Sequence, residues 1–411
     1  MQNFFDKYDW GTMLSRYAPA DYDISEYFNI LCPRDDWPPF LDKYLKLPVL
    51  KRLAGIGLLC GTDWTPLYKN RFYYSRLDHS KGVALIVWHF THDKAQTIAG
   101  LLHDISTPVF SHVSDFRKGD ALTQTATEEP TARIIRGDAE LGRLLAEDGL
   151  TAAQVEDYHI YPIADNEIPQ LSADRLEYMF PSGMALDGSW TMEEIRHCYN
   201  DLTILKNEEG RDELGFRSLE VAELYCEHFC MIGHILQLNE NKLTLQLLGQ
   251  IMNMAEKAGL LSESDFMTLS EKEVMEKLNR HAELVSASIP QRSRNNFRMT
   301  TSNDVECHCE AEPKQSTSKD ILSRYYKTFR TMTKIEHTNE ALPENEYFCV
   351  NLKVKQRYIN PLVVAQNSTV VSTDSTNVKS VRLSDISEKA RSIIEDFKSY
   401  SDTPYGCVKL L

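Results

Sequence analysis

The feature that most constrains this chain is the spacing of three histidines, the second of which is followed by an aspartate. His79 is followed by the pair His103 and Asp104, and His112 comes shortly afterwards. Imidazole and carboxylate together hold hydrolytic metal ions such as manganese, iron, nickel, zinc and magnesium in proteins. The pattern therefore predicts one divalent metal ion, whose identity stays open and which would activate water.

Two predicted helices separate His79 from His103. Residues 79–91 are apolar enough for a buried helix, and residues 94–102 form a second helix with Asp93 as its N-cap. The two helices are about equally long, so a short turn between them would make them antiparallel. The start of the first would then lie beside the end of the second, which brings the two histidines together.

The position of the His-Asp pair within its helix is also constrained. Adjacent side chains diverge by about 100° around a regular α-helix, so His103 and Asp104 can face one ion only near a helix end. Pro108 is consistent with an end there. The chain holds another such pair, His92-Asp93, which we assign to the turn between the helices and not to the metal site.

Three ligands leave a metal ion under-coordinated, so a fourth is expected from elsewhere in the chain. Asp174 is the best candidate, because it lies in a short helical stretch that we expect to end at Pro181. In that helix Asp174 and Tyr178 share one face at positions i and i+4. The predicted metal ligands are therefore His79, His103, Asp104 and Asp174.

These motifs resemble those of the HD-domain metal-dependent phosphohydrolases, and most closely the branch that contains the deoxynucleoside triphosphate triphosphohydrolases. The resemblance covers roughly residues 45–260. It implies a mainly α fold, an HD-domain helical bundle, and a phosphohydrolase that acts on nucleotides. It also implies assembly into homo-oligomers. The matching segments are residues 50–57, 75–79, 99–104, 110–112 with Asp115, and 173–178.

The resemblance further implies roles for residues around the predicted metal. His112 and Asp115 match a proton-handling pair, in which the carboxylate fixes the tautomer of the imidazole and raises its basicity. Arg76 is expected to point into the site, where a guanidinium binds phosphate oxygens. The alternatives are a surface cation or ion pair for the arginines, and core packing for the tyrosine. The predicted substrate-binding residues are Arg76, Arg175, Tyr178 and Thr107.

Two positions depart from the triphosphohydrolase branch. That branch carries a histidine where this chain has Thr107, and a His-Glu pair where it has Thr127-Glu128. Threonine can hydrogen-bond phosphate but cannot act as an acid near neutral pH. Triphosphohydrolysis of deoxynucleotides is the leading expectation. The alternatives are a nucleotidase or phosphomonoesterase acting on another phosphate ester, and a nucleotide-binding regulator with a degenerate site.

Charge and composition limit the kinds of partner that we expect the protein to bind. A net charge of −15 argues against a general nucleic-acid-binding surface, but not against a local pocket for a phosphorylated small molecule. The first residues lack the segments of a signal peptide, and no run approaches the ~20 apolar residues that cross a bilayer. The nine cysteines show no framework spacing. We therefore expect a soluble, cytoplasmic protein with reduced thiols.

Changes in composition divide the chain into four parts. Residues 1–45 are expected to form an irregular N-terminal wrap, and residues 46–280 the helical metal-binding domain. Residues 281–319 are rich in Ser, Asn and Arg and predict an inserted, disordered surface loop, the alternative being an ordinary family-specific loop. The ligands of its run Cys307-His308-Cys309 are too close together to enclose one ion.

The last part, residues 320–411, is expected to form a small α+β appendage. Residues 347–355 alternate in places like a strand, and residues 367–373 offer a second strand. A capped amphipathic helix is predicted to begin at Ser384. The complete expectation is a mainly α protein with an HD-domain helical bundle and this α+β appendage.

Overall fold

The computed structural model describes residues 23–122, 128–288, 318–365 and 379–411. Helices dominate these residues, which confirms a mainly α fold with a small C-terminal α+β part. The α-helices are α1 Ile24–Leu31, α2 Leu41–Tyr44, α3 Pro48–Lys51, α4 Arg76–Thr91, α5 Lys94–Leu102, α6 Val113–Lys118, α7 Glu128–Gly137, α8 Ala139–Glu147, α9 Ala173–Leu186, α10 Met192–Asp201, α11 Leu219–Gln237, α12 Asn239–Lys257, α13 Glu263–Thr268, α14 Glu271–Ser288, α15 Ser318–Thr331, α16 Leu383–Ile386 and α17 Glu388–Ser399.

The strands form two small sheets. They are β1 Leu202–Lys206, β2 Asp212–Phe216, β3 Glu336–Thr338, β4 Tyr347–Val350, β5 Leu362–Val364, β6 Ser380–Arg382 and β7 Tyr405–Lys409. In the first sheet β2 pairs antiparallel with β1 and parallel with β5, and β6 pairs with β5 to complete the order β1-β2-β5-β6. In the second sheet β7 lies between β3 and β4 and is antiparallel to both.

The predicted helix pair is confirmed as α4 and α5, but the expectation of about equal lengths is wrong, because α4 has 16 residues and α5 has 9. Helix α4 begins with a capping box, in which Ser75 and Asp78 each bond the other's backbone N–H. It ends at His92, whose φ of 51° is left-handed and reverses the chain. Asp93 then caps α5 by accepting a hydrogen bond from the backbone N–H of Gln96.

The two helices pack closely because a glycine faces the contact. A Cβ atom built on Gly100 of α5 would lie 3.3 Å from Val83 and 3.6 Å from Val87 of α4. Larger side chains at this position would push the helices apart. The antiparallel contact places His79, at the start of α4, beside His103, which directly follows α5.

Helix α9 brings the third part of the predicted site against α4, and it is longer than expected. The prediction that Pro181 ends this helix is wrong, because Pro181 lies inside it. Proline removes one backbone N–H, which would have bonded the carbonyl of Glu177. The hydroxyl of Tyr27 lies 3.4 Å from that carbonyl oxygen and 3.0 Å from the Glu177 carboxylate, so its one proton is shared between these two acceptors.

The prediction of an irregular N-terminal wrap is wrong for residues 24–31, which form α1. Asp23 caps this helix, and its apolar face is buried against the main core. Tyr27 is fully buried there and reaches α9. Residues 1–22 lie outside the described residues.

The predicted loop, residues 281–319, is too long at both ends. Helix α14 runs through residue 281 as far as Ser288, and α15 already starts at Ser318. The polar composition of residues 281–288 does not prevent helix formation, because Ala282 packs in the core between α14 and α15. Residues 289–317, which include Cys307-His308-Cys309, lie outside the described residues.

The C-terminal α+β part shares its hydrophobic cores with the rest of the protein. Phe329 of α15 packs in the same cluster as α12 and α14, and Phe397 of α17 packs against α11. The predicted strand at residues 347–355 is confirmed for β4, whereas residues 367–373 lie outside the described part. The predicted helix begins at Glu388 with Ser387 as its cap, because Ser384 belongs to the separate short helix α16.

Two cysteines differ from the expectation of reduced thiols. Cys349 of β4 and Cys407 of β7 are register partners in the second sheet, and the structure joins them in a disulfide. Their pairing depends on strands that are far apart in the sequence, so no spacing pattern predicted it. Cys32, Cys60, Cys198, Cys226 and Cys230 are free.

We predict that His234 makes the fold acid-sensitive. His234 lies in α11 against Tyr400 with 1% of its surface exposed, and burial lowers its pKa from 6.5 to about 3 although Asp402 opposes this. Below pH 6.5 the unfolded chain therefore binds a proton that the folded chain does not. The free energy of unfolding keeps this contribution in full above the pKa that His234 has in the unfolded chain. It falls by about 2 kcal/mol between pH 6.5 and 5.

The measurement is the free energy of unfolding in urea across this pH range, for the native chain and for His234→Leu. The variant should lose less stability on acidification than the native chain. His197→Leu, at an exposed position on α10, is the matched control and should follow the native profile. Equal pH slopes for the native chain and His234→Leu would contradict the prediction.

Candidate metal centre

Four side chains from α4, the end of α5 and α9 converge on one point. The Nε2 atom of His79 lies 3.0 Å from Oδ1 of Asp174 and 3.9 Å from Oδ2 of Asp104. The Nε2 atom of His103 lies 3.5 Å from the same Asp104 oxygen and 3.7 Å from the same Asp174 oxygen. The two Nε2 atoms are 3.2 Å apart. The structure thus brings together all four predicted ligands, and two imidazoles with two carboxylates suit a divalent transition metal or Mg²⁺.

Both imidazoles are oriented by a hydrogen bond on their other nitrogen. Nδ1 of His103 lies 2.7 Å from the carbonyl oxygen of Gly100. Nδ1 of His79 lies 2.5 Å from Oε2 of Glu177. With Nδ1 engaged in this way, the Nε2 atom of each histidine faces the centre, which is the arrangement of metal-binding histidines.

Glu177 is a functional residue that the sequence reasoning missed. Its carboxylate is fully buried, and besides His79 it accepts hydrogen bonds from the hydroxyls of Tyr74 at 2.5 Å and Tyr27 at 3.0 Å. Gly82 of α4 leaves the space for it, since a Cβ atom there would collide with the carboxylate. The available signal was an acidic residue three positions after Asp174, one helical turn along α9.

Arg76 and Thr107 hold the two oxygens of Asp104. Nη1 of Arg76 lies 2.9 Å from Oδ2, and the hydroxyl of Thr107 donates to Oδ1 at 2.8 Å. Arg76 also donates from Nε to Ser111 at 3.0 Å and lines the cavity described below. Thr107 is buried, does not line that cavity and is bonded to Asp104, and its predicted contact with substrate stays a prediction.

The guanidinium of Arg175 is also engaged by the protein. It donates to the carbonyl oxygen of Asn166 at 2.8 Å and to Oδ1 of Asp165 at 3.0 Å. Its side chain is 8% exposed. Arg175 also contributes to the cavity wall, and its predicted role in binding substrate stays a prediction.

The predicted proton-handling pair is formed at the start of α6. Nδ1 of His112 lies 3.0 Å from Oδ2 of the buried Asp115. The two residues before it, Phe110 and Ser111, have φ values of 61° and 52°, a conformation that costs energy for side chains of this kind. This strained turn points the imidazole of His112 into the same cavity as the metal ligands.

The electrostatics of the centre favour a positive charge. Burial opposes ionisation of Asp104, but Arg76 and the imidazoles hold its pKa well below its usual range. Burial likewise opposes ionisation of Asp174, whose pKa His79 lowers to about 2. Burial opposes protonation of His79, yet its hydrogen bonds to Asp174 and Glu177 raise its pKa to about 10. A cluster this rich in ionised carboxylates attracts either a proton or a metal cation.

A cavity of about 860 Å³ opens in front of this centre. Tyr178 lines it, with its ring centroid 6.4 Å from that of His79, and its buried hydroxyl has no hydrogen-bond partner among the described residues. Lys355 and Arg357, between β4 and β5, also line it. The sequence reasoning missed these two cations, because a segment without regular structure carries no pattern that relates it to residues 79–178.

No protein-family model matches the chain. A segment of 164 residues is 28% identical to a metal-dependent phosphohydrolase of Cordyceps militaris and covers 40% of this chain and 46% of that protein. A segment of 142 residues is 28% identical to the uncharacterized protein YdhJ of Bacillus subtilis and covers 34% of this chain and 41% of that one. The chain thus matches less than half the length of these relatives.

The fold is also similar to solved structures. A phosphohydrolase from Bacteroides thetaiotaomicron superposes with a TM-score of 0.55 at 13% identity, over 90% of this chain and 96% of that one. A hypothetical protein from Aquifex aeolicus gives a TM-score of 0.53 at 13% identity, over 91% of this chain and 92% of that one. The solved structures support the fold, and the described residues hold a His/Asp cluster that could bind a metal ion; none of these similarities singles out the triphosphohydrolase branch. No helix in the described ranges has the length and apolar character to cross a membrane.

We predict that Glu177→Gln weakens metal binding about 10- to 100-fold, because the neutral amide no longer matches the Nδ1–H of His79 with a charged acceptor. The measurement is titration of the purified protein with Mn²⁺ or Zn²⁺ in competition with a chromogenic chelator. Glu193→Gln, at an exposed position on α10, is the matched control and should bind like the native chain. Unchanged affinity in Glu177→Gln would show that this hydrogen bond does not support the metal site.

Proposed function

We propose that this protein is a phosphohydrolase that cleaves a nucleotide with the help of one divalent metal ion. The observation that carries the proposal is the convergence of His79, His103, Asp104 and Asp174 at one end of the cavity. An ion held by these residues would lower the pKa of water from ~15.7 to about 7 and offset charge on phosphoryl oxygens. The similarity to proteins described as phosphohydrolases supports the same reaction class.

The residues around the ligands can supply the other parts of such a reaction. Arg76 places a guanidinium beside Asp104 on the cavity wall, where it can bind a phosphoryl oxygen. The hydroxyl of Tyr178 is available as a second donor. His112 is the best candidate for moving a proton, because burial lowers its pKa while Asp115 fixes its ring. A neutral imidazole can accept a proton from water or pass one to the leaving group.

Two reactions on a nucleotide fit this proposal. Hydrolysis of a deoxynucleoside triphosphate to triphosphate follows from the resemblance in the order of motifs. Release of orthophosphate from a nucleoside monophosphate is favoured by Thr107, which stands in place of a branch histidine and whose hydroxyl is committed to Asp104. Thr127 lies outside the described residues. We favour the monophosphate, because Thr107 replaces the branch histidine and the cavity lining among the described residues holds two histidines besides the ligands, His112 and His159.

The test is a panel of nucleoside mono-, di- and triphosphates, each offered with Mn²⁺, Fe²⁺, Ni²⁺, Zn²⁺ and Mg²⁺. Orthophosphate released from a monophosphate would support the favoured reaction, and intact triphosphate the other. His103→Ala and Asp174→Ala should each lose metal content and reduce turnover by at least a hundredfold, because each removes one of four ligands.

His197→Ala, on exposed α10, is the control for removing a histidine outside the site and should keep metal content and turnover. Full metal content and full activity in His103→Ala would refute the proposed centre. Tight nucleotide binding without turnover under every metal would instead identify a regulator that uses the site for sensing.

A further inference from the structure

Helix α9 runs along the cavity, so the positions of its side chains indicate how long the cavity is. Four of its side chains line the cavity at intervals of one helical turn: Asp174, Tyr178, Ser182 and Leu186. At 1.5 Å per residue the axial distance from the first to the last is about 18 Å. The cavity therefore has a metal end, at Asp174, and a far end, at Leu186.

The far end has a different chemistry from the metal end. Leu186 packs there in one cluster with Tyr68 and Ile235, and Leu59 borders the same cluster. All four residues also line the cavity. Three aliphatic side chains and one aromatic ring thus enclose a space that suits an apolar or flat group.

One polar atom in this apolar end lacks a partner. Tyr68 is 6% exposed, and its buried hydroxyl makes no hydrogen bond within the described part of the chain. Burial raises the pKa of Tyr68 well above its usual value, and Glu240 adds to this, so the hydroxyl keeps its proton and can donate. A buried donor without an acceptor is costly, and a bound ligand that supplies the acceptor removes this cost.

We propose that the far end binds a heteroaromatic ring of the substrate, and that the hydroxyl of Tyr68 donates a hydrogen bond to a ring nitrogen or carbonyl oxygen. Together with the proposed function, on which this inference rests, it describes a substrate with a phosphate at one end and a nucleobase-like ring at the other. The ring faces would pack against Leu59, Leu186 and Ile235.

Two features favour a heteroaromatic ring over an alkyl chain or a small leaving group. An alkyl chain would fill the apolar space but would leave the Tyr68 hydroxyl without an acceptor. A small ester such as glycerol phosphate could reach the metal end but would leave the end at Leu186 empty. A nucleotide carries a phosphate for the metal end and a base with hydrogen-bond acceptors for the apolar end, so it can meet both requirements.

The inference is tested by calorimetric binding to the Mn²⁺-loaded protein, so it does not depend on turnover. The probes are the four common nucleosides and their monophosphates, with octyl phosphate and glycerol phosphate for comparison. At least one nucleoside monophosphate should bind more tightly than either comparison ligand. Tyr68→Phe should weaken the binding of that monophosphate about tenfold, which is the worth of one hydrogen bond to a buried group.

Comparing the affinities for the nucleoside and for its monophosphate shows which end of the ligand has lost a contact. Tyr68→Phe should weaken binding of the nucleoside and of its monophosphate by the same factor, because the lost contact is to the ring. Removal of Mn²⁺ should weaken only the monophosphate. Tyr73→Phe, at a tyrosine that is 46% exposed and does not line the cavity, is the matched control and should leave both affinities unchanged.

Leu186→Trp provides a second test by filling the far end. It should abolish binding of the nucleoside monophosphate and leave glycerol phosphate binding and metal content unchanged. Octyl phosphate as the tightest ligand, or full nucleotide affinity in Tyr68→Phe, would overturn the inference. Nucleotide binding that depends on Tyr68 but is never followed by hydrolysis would instead refute the proposed function and leave the ring pocket standing.

Discussion

The hydrogen bond between Glu177 and His79 is the interaction on which the site depends. It places a carboxylate with no exposed surface next to a histidine that is 2% exposed, at the contact between α4 and α9. A buried charge of this kind is stable only when it is paired and fully hydrogen-bonded, and Tyr27 and Tyr74 complete its bonds. Because Tyr27 comes from α1, the packing of the N-terminal helix and the orientation of a metal ligand are parts of one network. Binding of a cation at the centre should therefore also tighten the contacts among these three helices.

Local signals explain why much of the metal end could be predicted from the sequence. The limits of α4 and α5 follow from caps and a turn that lie within a few residues of each other, and the antiparallel turn brings the start of α4 beside the end of α5 although α4 has 16 residues and α5 has 9. The i and i+4 spacing likewise put Asp174 and Tyr178 on one face of α9 before its packing was known. These inferences need only helix geometry and the chemistry of capping, which is why they hold without knowledge of the rest of the fold.

The errors occurred where a distant residue changes the local rule. Proline ends most helices, but Pro181 does not end α9, where the hydroxyl of Tyr27, 150 residues away in the sequence, lies 3.4 Å from the Glu177 carbonyl that proline leaves without its N–H donor. The positions of Tyr68 and Arg357 in the cavity wall depend on the packing of segments far from the ligand motifs, and no periodicity in one segment specifies its neighbours in space.

The face of α9 also suggests how specificity could diverge while the chemistry stays constant. Ser182 stands between Tyr178, close to the ligands, and Leu186, at the far end, and it is small and buried. A larger residue at this one position would divide the cavity in two and confine substrates to the metal end. Relatives with the same four ligands could thus range from enzymes for long substrates to enzymes for short ones through the size of a single side chain. Selection on that side chain would leave the metal, its orienting carboxylate and the fold untouched.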